Sequence, residues 1–114
     1  MTILIAGTVE IADGRREQAL AEAAQLMIDT RTQKGCNHYV WSADPTSDTR
    51  IYVFESWDST EDLADHLAGS FYMSMLVHLG GYDVHNTEVS KFRIAHEEPV
   101  YDPEGKPRAD FFTE

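Results

Sequence analysis

The chain has 114 residues, enough for one domain with a single apolar core and too few for a second domain of similar size. Hydrophobic residues make up 42% of the chain and charged residues 25%, which is typical of a globular protein rather than of a disordered or fibrous one. Twenty acidic residues against nine basic ones give a formal net charge of -11, which disfavours binding to nucleic acid or to an anionic membrane surface.

The longest stretch without a formal charge, residues 67–82, is interrupted by glycines and is too short to span a bilayer. The N-terminal segment lacks the basic start of a secretory leader, because the first basic residue is Arg15. The single cysteine, Cys36, has no partner in the chain for a disulfide, which is compatible with a reducing compartment. We therefore predict a cytoplasmic protein without a transmembrane helix.

The first half of the chain predicts a strand followed by a helix. Alternating β-rich residues indicate a strand at about 2–11, and the turn residues Asp13 and Gly14 end it. Apolar residues then recur with helical spacing, which predicts a helix at about 14–33. We expect Asp13 to cap the start of this helix and Gly35 to follow its end.

A hairpin follows, with strands predicted at Cys36–Ala43 and 49–57 and a turn between them. In the second strand, alternation places Cys36 on the same face as His38, opposite Tyr39 and Trp41. Ile51, Val53 and Trp57 lie on one face of the third strand, and Tyr52 and Phe54 lie on the other. Because apolar side chains occupy both faces, the sheet needs cover on both sides.

The second helix is predicted to begin at Ser59, whose spacing from Asp62 resembles a capping box. Gly69 and Ser70 are expected to break this helix, and a second helical piece is predicted at 71–79. The last strand is predicted at about 86–95.

The order β-α-β-β-α-β predicts an α+β, ferredoxin-like sandwich in residues 1–95. Its helices cover one face of the sheet, so the other face leaves aromatic side chains exposed. We predict that a second copy covers them by packing sheet against sheet, which gives a homodimer with the form of a dimeric α/β barrel.

Residues 96–114 form an acidic, Pro-rich C-terminal tail, with six acidic and two basic residues. Its prolines predict a coil rather than regular structure. Two alternatives stay open: a disordered tail, or an arm that docks on the dimer partner. The second alternative would use its apolar residues, Val100, Tyr101, Phe111 and Phe112.

Three motifs lie at the start of the second strand, at the end of the third strand and in the second helix: Gly35-Cys36-x-x-Tyr39, Glu55-Ser56-Trp57-Asp58-Ser59 and Leu63-x-x-His66-Leu67. Over about residues 1–95 the chain resembles the antibiotic biosynthesis monooxygenase domain. The resemblance to quinol-type members implies that O₂ oxidises an electron-rich phenol or quinol, in a pocket between sheet and helices. It also implies that no flavin, haem or metal is needed. The substrate would lose a proton and pass electrons to O₂.

His66 is the first candidate for a catalytic residue. The resemblance assigns it to the helix histidine of the family, and an imidazole is suited to accept a proton near neutral pH. The alternative is a structural histidine whose ring is hydrogen-bonded to a backbone carbonyl or to Asp62.

Trp57 and Glu55 are the other candidate catalytic residues. Trp57 could stack on a planar substrate, and its alternative role is core packing. Glu55 shares the face of Trp57, so it could orient His66 or bind a substrate hydroxyl. A salt bridge from Glu55 to an arginine is the alternative, with three candidate partners: Arg31, Arg50 and Arg93.

Six further residues are predicted to form an aromatic and thioether lining for substrate, with plain packing as the alternative: Tyr39, Trp41, Phe54, Phe71, Tyr72 and Met75. Acidic residues crowd the start of the second helix, but their spacing does not join them to histidines, so no metal site is predicted. Motifs for zinc proteolysis, thiol redox chemistry and nucleotide binding are also missing from the sequence.

Two other functions stay open. Haem-degrading members of the family pair a first-strand asparagine with a histidine late in the second helix. Here the first strand has no asparagine, and His78 is displaced by two or three residues from the expected position. The second alternative is a dimeric module that binds a small aromatic molecule without catalysis.

Overall fold

A computed structural model describes residues 1–113. It contains seven regular elements: β1 (Ile3–Glu10), α1 (Arg16–Thr30), β2 (Cys36–Ala43), β3 (Arg50–Trp57), α2 (Thr60–Leu67), α3 (Ser70–Gly80) and β4 (His85–Arg93). The strands form one antiparallel sheet in the order β2-β3-β1-β4. This arrangement confirms the predicted ferredoxin-like α+β fold.

The start of α2 and the break after it follow the prediction. The Ser59 hydroxyl accepts a hydrogen bond from the Asp62 N–H at 3.1 Å, which satisfies one of the unpaired N–H groups at the helix start. After Gly69, whose backbone is extended, a new helix begins at Ser70.

The start of α1 differs from the prediction. The helix begins at Arg16, and neither Asp13 nor any other side chain caps it. The buried Arg16 guanidinium instead donates hydrogen bonds to three carbonyls of the turn between β2 and β3, those of Asp44, Ser47 and Arg50, at 3.1, 2.6 and 3.0 Å. Arg16 thus ties the start of α1 to the turn between β2 and β3.

The two faces of the sheet differ in cover. The helix face carries the buried core side chains of the strands, among them Ile3, Val9, Ile51, Val53 and Trp57. The opposite side, which we call the open face, carries the alternate residues of the same strands, including Tyr52, Phe54 and Phe92, all of them exposed. The predicted exposed aromatic face is therefore present.

A shift in register at the start of β2 changes one predicted face. Cys36 pairs with Trp57 and His38 with Ser56, so the pairing skips Asn37. Cys36 therefore packs against the core on the helix face together with Tyr39 and Trp41, whereas the alternation had placed it on the face of His38.

The segment after β4 has irregular structure and is folded on itself. The Glu98 carboxylate accepts hydrogen bonds from the N–H groups of Phe112 and Thr113, and Tyr101 bridges to Pro107. Three of its apolar side chains are exposed: Val100, Tyr101 and Phe111. The last residue of the predicted tail lies outside the described residues.

No helix within residues 1–113 is both long enough and apolar enough to cross a bilayer.

Candidate active site

A cavity of about 410 Å³ lies between the helix face of the sheet and α3. Its lining is mainly aliphatic and aromatic, with Glu55 as its one carboxyl group. The lining residues come from all four strands, both later helices and the loop before β4: Ile5, Val9, Tyr39, Trp41, Val53, Glu55, Leu67, Tyr72, Met75, Leu76, Leu79, Gly80, Val84, Thr87 and Val89. An apolar hollow with few polar groups is the usual form of a small-molecule site.

The structure brings together most of the residues predicted to contact substrate. Five of the candidate residues line the cavity: Tyr39, Trp41, Glu55, Tyr72 and Met75. Phe54 lies on the open face, because it alternates with Val53 along β3. Phe71 is half-buried in the first turn of α3, and its side chain is not part of the cavity lining.

His66 and Trp57 lie directly behind the cavity wall. Trp57 is fully buried, and only 2% of His66 is exposed. Their rings are stacked, with centroids 4.6 Å apart and planes 29° apart. The His66 ring also makes edge contacts with two tyrosines that line the cavity, Tyr39 at 5.6 Å and Tyr72 at 5.7 Å. The imidazole therefore contacts two side chains of the cavity lining but is not itself part of that lining.

The His66 ring has one hydrogen bond, and its partner was not among the predicted ones. Nδ1 lies 2.7 Å from Oε1 of Gln33, in the turn after α1, rather than near Asp62 or a backbone carbonyl. Nε2 has no hydrogen-bond partner within residues 1–113. Burial lowers the pKa of His66, which favours the neutral imidazole.

Sequence reasoning missed Gln33 because it lies in an irregular turn, where no periodicity marks an inward side chain. The one local signal is Gly35, whose positive φ of 79° allows the chain to turn into β2. A Cβ at Gly35 would collide with the carboxylate of Asp62, so this turn packs closely against the start of α2.

Glu55 has a partner that differs from both predicted ones. Its Oε1 accepts a hydrogen bond from the Trp57 indole N–H at 3.0 Å, so it contacts neither His66 nor an arginine. Of the candidate arginines, Arg31 donates to the Tyr39 carbonyl, and Arg50 pairs with Glu10 and Asp44. Burial raises the pKa of Glu55, and the indole hydrogen bond offsets part of that rise. Glu55 is thus a buried carboxyl group without a cation, which favours its neutral form.

Tyr39 is held as a neutral phenol beside Glu55. Burial is the main cause of its raised pKa, and the negative charge of Glu55, when that group is ionised, adds to it. The Trp41 indole N–H donates a hydrogen bond to the Tyr39 oxygen at 3.0 Å, which fixes the ring at the cavity wall.

His78, the histidine considered for haem, is engaged elsewhere. Its Nε2 lies 2.8 Å from the Ala19 carbonyl in α1, and its ring packs on Tyr82 with centroids 5.3 Å apart. A carbonyl oxygen can only accept, so Nε2 holds a proton and has no lone pair for a metal. His78 does not line the cavity.

A wider hollow of about 620 Å³ lies at the end of the open face, with a polar lining that includes Glu10, Arg50 and Tyr52. Glu10 and Arg50 already pair with each other at 3.1 Å. The apolar cavity on the helix face is therefore the better candidate for a substrate site.

The fold and the cavity define an α+β ferredoxin-like domain with an apolar site beside a buried histidine. The chain belongs to the antibiotic biosynthesis monooxygenase family, whose sequence model matches residues 2–72. Family membership supports a monooxygenase at the level of the family, and members of this family are often dimeric.

Solved structures show the same fold. A protein of Deinococcus radiodurans with a provisional antibiotic biosynthesis monooxygenase assignment has a TM-score of 0.69 at 21% identity, covering 90% of this chain and 100% of that one. A Bacteroides thetaiotaomicron protein of unknown function, described as a possible oxidoreductase, has a TM-score of 0.69 at 21% identity over 80% of this chain and 95% of its own. A conserved protein of Methanosarcina mazei has a TM-score of 0.72 at 16% identity, over 82% and 92% of the two chains.

A curated relative, an uncharacterized protein of Synechocystis sp., is 24% identical over 70 residues, which are 61% of this chain. The match covers 48% of that relative, so it spans about half of its length.

Proposed function

We propose that this protein is a monooxygenase that oxidises an electron-rich phenol or quinol with O₂ and needs no cofactor. One observation carries the proposal: an apolar cavity of about 410 Å³ with a single carboxyl group, bounded by two tyrosines that contact a buried histidine whose pKa is lowered by burial. One oxygen atom of O₂ would enter the product and the other would leave as water, and the substrate would supply the electrons.

His66 would act as the base. Its ring contacts two tyrosines of the cavity wall, and its Nε2 has no hydrogen-bond partner within residues 1–113. A neutral imidazole can take the proton of a phenolic O–H, and the phenolate that forms gives up an electron more readily than the phenol does. General-base assistance of this kind contributes about 10²–10⁴-fold to a rate.

Glu55 and Trp57 would orient the substrate. A neutral Glu55 has one O–H to donate, and its other oxygen accepts the Trp57 indole N–H. The O–H could therefore bind a substrate oxygen inside the cavity without placing a second negative charge beside the phenolate. Trp57 would hold the imidazole plane by stacking on it.

The cavity lining would supply the dry surroundings that this chemistry needs. Tyr39, Trp41, Tyr72 and Met75 offer flat or polarizable surface against an aromatic ring, and the aliphatic lining excludes water. In surroundings of low polarity the substrate phenolate has a higher energy than in water. The phenolate therefore transfers an electron to O₂ more readily.

We also propose that the protein is a homodimer formed through the open face. Residues 1–95 would form the domain, and the acidic residues 96–114 would follow it as a tail. Tyr52, Phe54 and Phe92 are exposed on this face, with Phe92 and Phe54 on either side of β1. An exposed aromatic sheet face of this kind is typical of an interface.

A binding module without catalysis is the second candidate, since the same cavity would hold an aromatic molecule. The haem alternative is weaker, because His78 donates its Nε2–H to the Ala19 carbonyl.

Oxygen uptake by protein stripped of metal and flavin, tested over a panel of quinols and polycyclic phenols, separates the candidates. We expect uptake with at least one substrate, and a 10²–10⁴-fold lower kcat/KM for His66→Ala. His96→Ala, in the tail, is the matched control and should retain the wild-type rate. Absence of uptake over the panel, combined with quenching of tryptophan fluorescence by the same compounds, would support the binding module instead.

A further inference from the structure

Gln33 and His66 form a side-chain contact that specifies which ring nitrogen holds the proton. Oε1 of Gln33 lies 2.7 Å from Nδ1 of His66. An amide oxygen can only accept a hydrogen bond, so Nδ1 must be the donor and must carry the proton. In the neutral ring the lone pair then belongs to Nε2.

The surroundings of the Gln33 amide nitrogen, Nε2, support this orientation of the amide group. A Cβ placed on Gly69 would be 3.2 Å from the Asp65 carbonyl oxygen, 3.3 Å from the His66 carbonyl oxygen and 3.6 Å from Nε2 of Gln33. The amide nitrogen of Gln33 and these two carbonyl oxygens therefore border the same small space at the end of α2. Exchanging the two ends of the amide would direct its oxygen towards that negative helix end, which is electrostatically unfavourable.

The backbone of Gln33 is held on both sides. Its N–H donates to the Thr30 carbonyl at 3.0 Å, and its carbonyl accepts from the Cys36 N–H at 3.2 Å. The Gly35 carbonyl in turn accepts from the Asp58 N–H at 2.8 Å. The turn is thereby tied to the end of α1, the start of β2 and the end of β3, which fixes the position of the amide.

We propose that Gln33 is a positioning residue that keeps neutral His66 in the Nδ1–H form, so that Nε2 is the basic nitrogen. The catalytic meaning of this inference rests on the proposed function, in which His66 takes a proton from substrate. Its structural part concerns the ring alone. Because the amide is neutral and its oxygen can accept from both the neutral and the protonated ring, Gln33 holds the ring in place before and after proton uptake.

The test is ¹⁵N NMR of the histidine rings, because protonated and unprotonated ring nitrogens differ strongly in chemical shift. We expect wild-type His66 to show a protonated Nδ1 and an unprotonated Nε2 at neutral pH. His78 is an internal reference with the opposite pattern, since its Nε2 donates to the Ala19 carbonyl. A His66→Gln spectrum assigns the resonances. A proton on Nε2 of wild-type His66 would overturn the proposal.

Two variants sharpen the test. Gln33→Met removes the acceptor, so we expect the His66 proton to move largely to Nε2 while the His78 pattern stays unchanged. Gln33→Glu keeps an acceptor and adds a negative charge, so the Nδ1–H form should persist and the titration midpoint of His66 should rise by about one to three pH units. Gln25→Met is the matched control, because its amide bonds to Asp29 on the exposed side of α1. An unchanged His66 pattern in folded Gln33→Met would contradict the proposal, and if that variant does not fold, the wild type and Gln33→Glu decide.

Activity separates this inference from the proposed function. We expect Gln33→Met to lower kcat by about tenfold with little change in KM, and Gln33→Glu to recover part of the rate with its acid limb moved to higher pH. An Nδ1–H ring without oxygen uptake would refute the function and leave the positioning role standing. Oxygen uptake that depends on His66, combined with a proton on Nε2, would refute the positioning role of Gln33 and leave the proposed function standing.

Discussion

Two faces of one sheet, built from alternate residues of the same strands, behave differently in this protein. On β3, Val53 and Trp57 are 3% and 0% exposed beneath the helices, whereas Tyr52 and Phe54 are 51% and 37% exposed on the open face. The residue types are similar, so cover rather than composition decides the difference. The helices also leave a hollow over part of their face, and that hollow is the candidate site.

The pKa values of two carboxyl groups, one beside each face, shift in opposite directions. Glu10, beside the open face, has its pKa lowered, first by a hydrogen bond from the Thr49 hydroxyl and then by Arg50. Glu55, on the helix face, has its pKa raised by burial and contacts no cation. Pairing with Thr49 and Arg50 favours the charged form of Glu10, and burial without a cation favours the neutral form of Glu55.

The largest expected difference between the faces is in folding stability. Trp57→Ala removes a fully buried ring and should lower the free energy of unfolding by about 3–5 kcal/mol. Phe54→Ala should cost about 1 kcal/mol in dilute protein, because its ring is already partly exposed in the single chain. Urea denaturation followed by circular dichroism measures both, and equal losses would show that the faces do not differ in this way.

The open face should dominate self-association. The double variant Tyr52→Asp with Phe54→Asp places two charges where the partner sheet is expected, so the dimer Kd should rise at least 100-fold, or about 2.7 kcal/mol. Val77→Asp, at an exposed apolar position of α3, is the control and should leave Kd unchanged. Analytical ultracentrifugation gives the Kd values. A wild-type protein that stays monomeric at micromolar concentration would contradict the predicted homodimer.

The smallest expected effect is in the pH dependence of stability. Because the pKa of Glu55 is raised on folding, its contribution is present at low pH and is lost as pH rises through the folded pKa. The stability of the wild type relative to Glu55→Gln should therefore fall as pH rises from 4 to 8. Glu10→Gln is the control with the opposite sign, since a lowered pKa contributes stability that is lost as pH falls. Urea denaturation at a series of pH values tests both signs.

Much of the fold could be predicted from local patterns. The alternation on β3, the Ser59 cap and the break at Gly69 each depend on a few neighbouring residues, and the structure confirms each of them. The predicted Asp13 cap of α1 was wrong, since no side chain caps this helix. Its first residue, the buried Arg16, bonds to carbonyls about thirty residues away along the chain, which no local pattern reports. Cys36 was placed on the wrong face because alternation does not reveal a shift in register.

The candidate site was predictable to the level of residue type and face. The family motifs and strand parity pointed to His66, Trp57 and Glu55, which the structure places close together or in contact. The partners of these residues were not predictable, because a turn residue such as Gln33 has no periodic signal. Phe54 was predicted to line the substrate site because it is aromatic. It lies on the open face instead, because it alternates with Val53 along β3.

The sequence by itself determined the order of strands and helices, the apolar character of both sheet faces and the candidate catalytic histidine, His66. Each of these follows from the spacing and chemistry of residues along a short stretch of chain. Only the tertiary structure decided that Gln33 meets His66, that the Trp57 indole meets Glu55 and that α3 leaves a cavity above them. Those contacts join residues brought together by the packing of separate elements, and packing depends on the whole set of side chains at once.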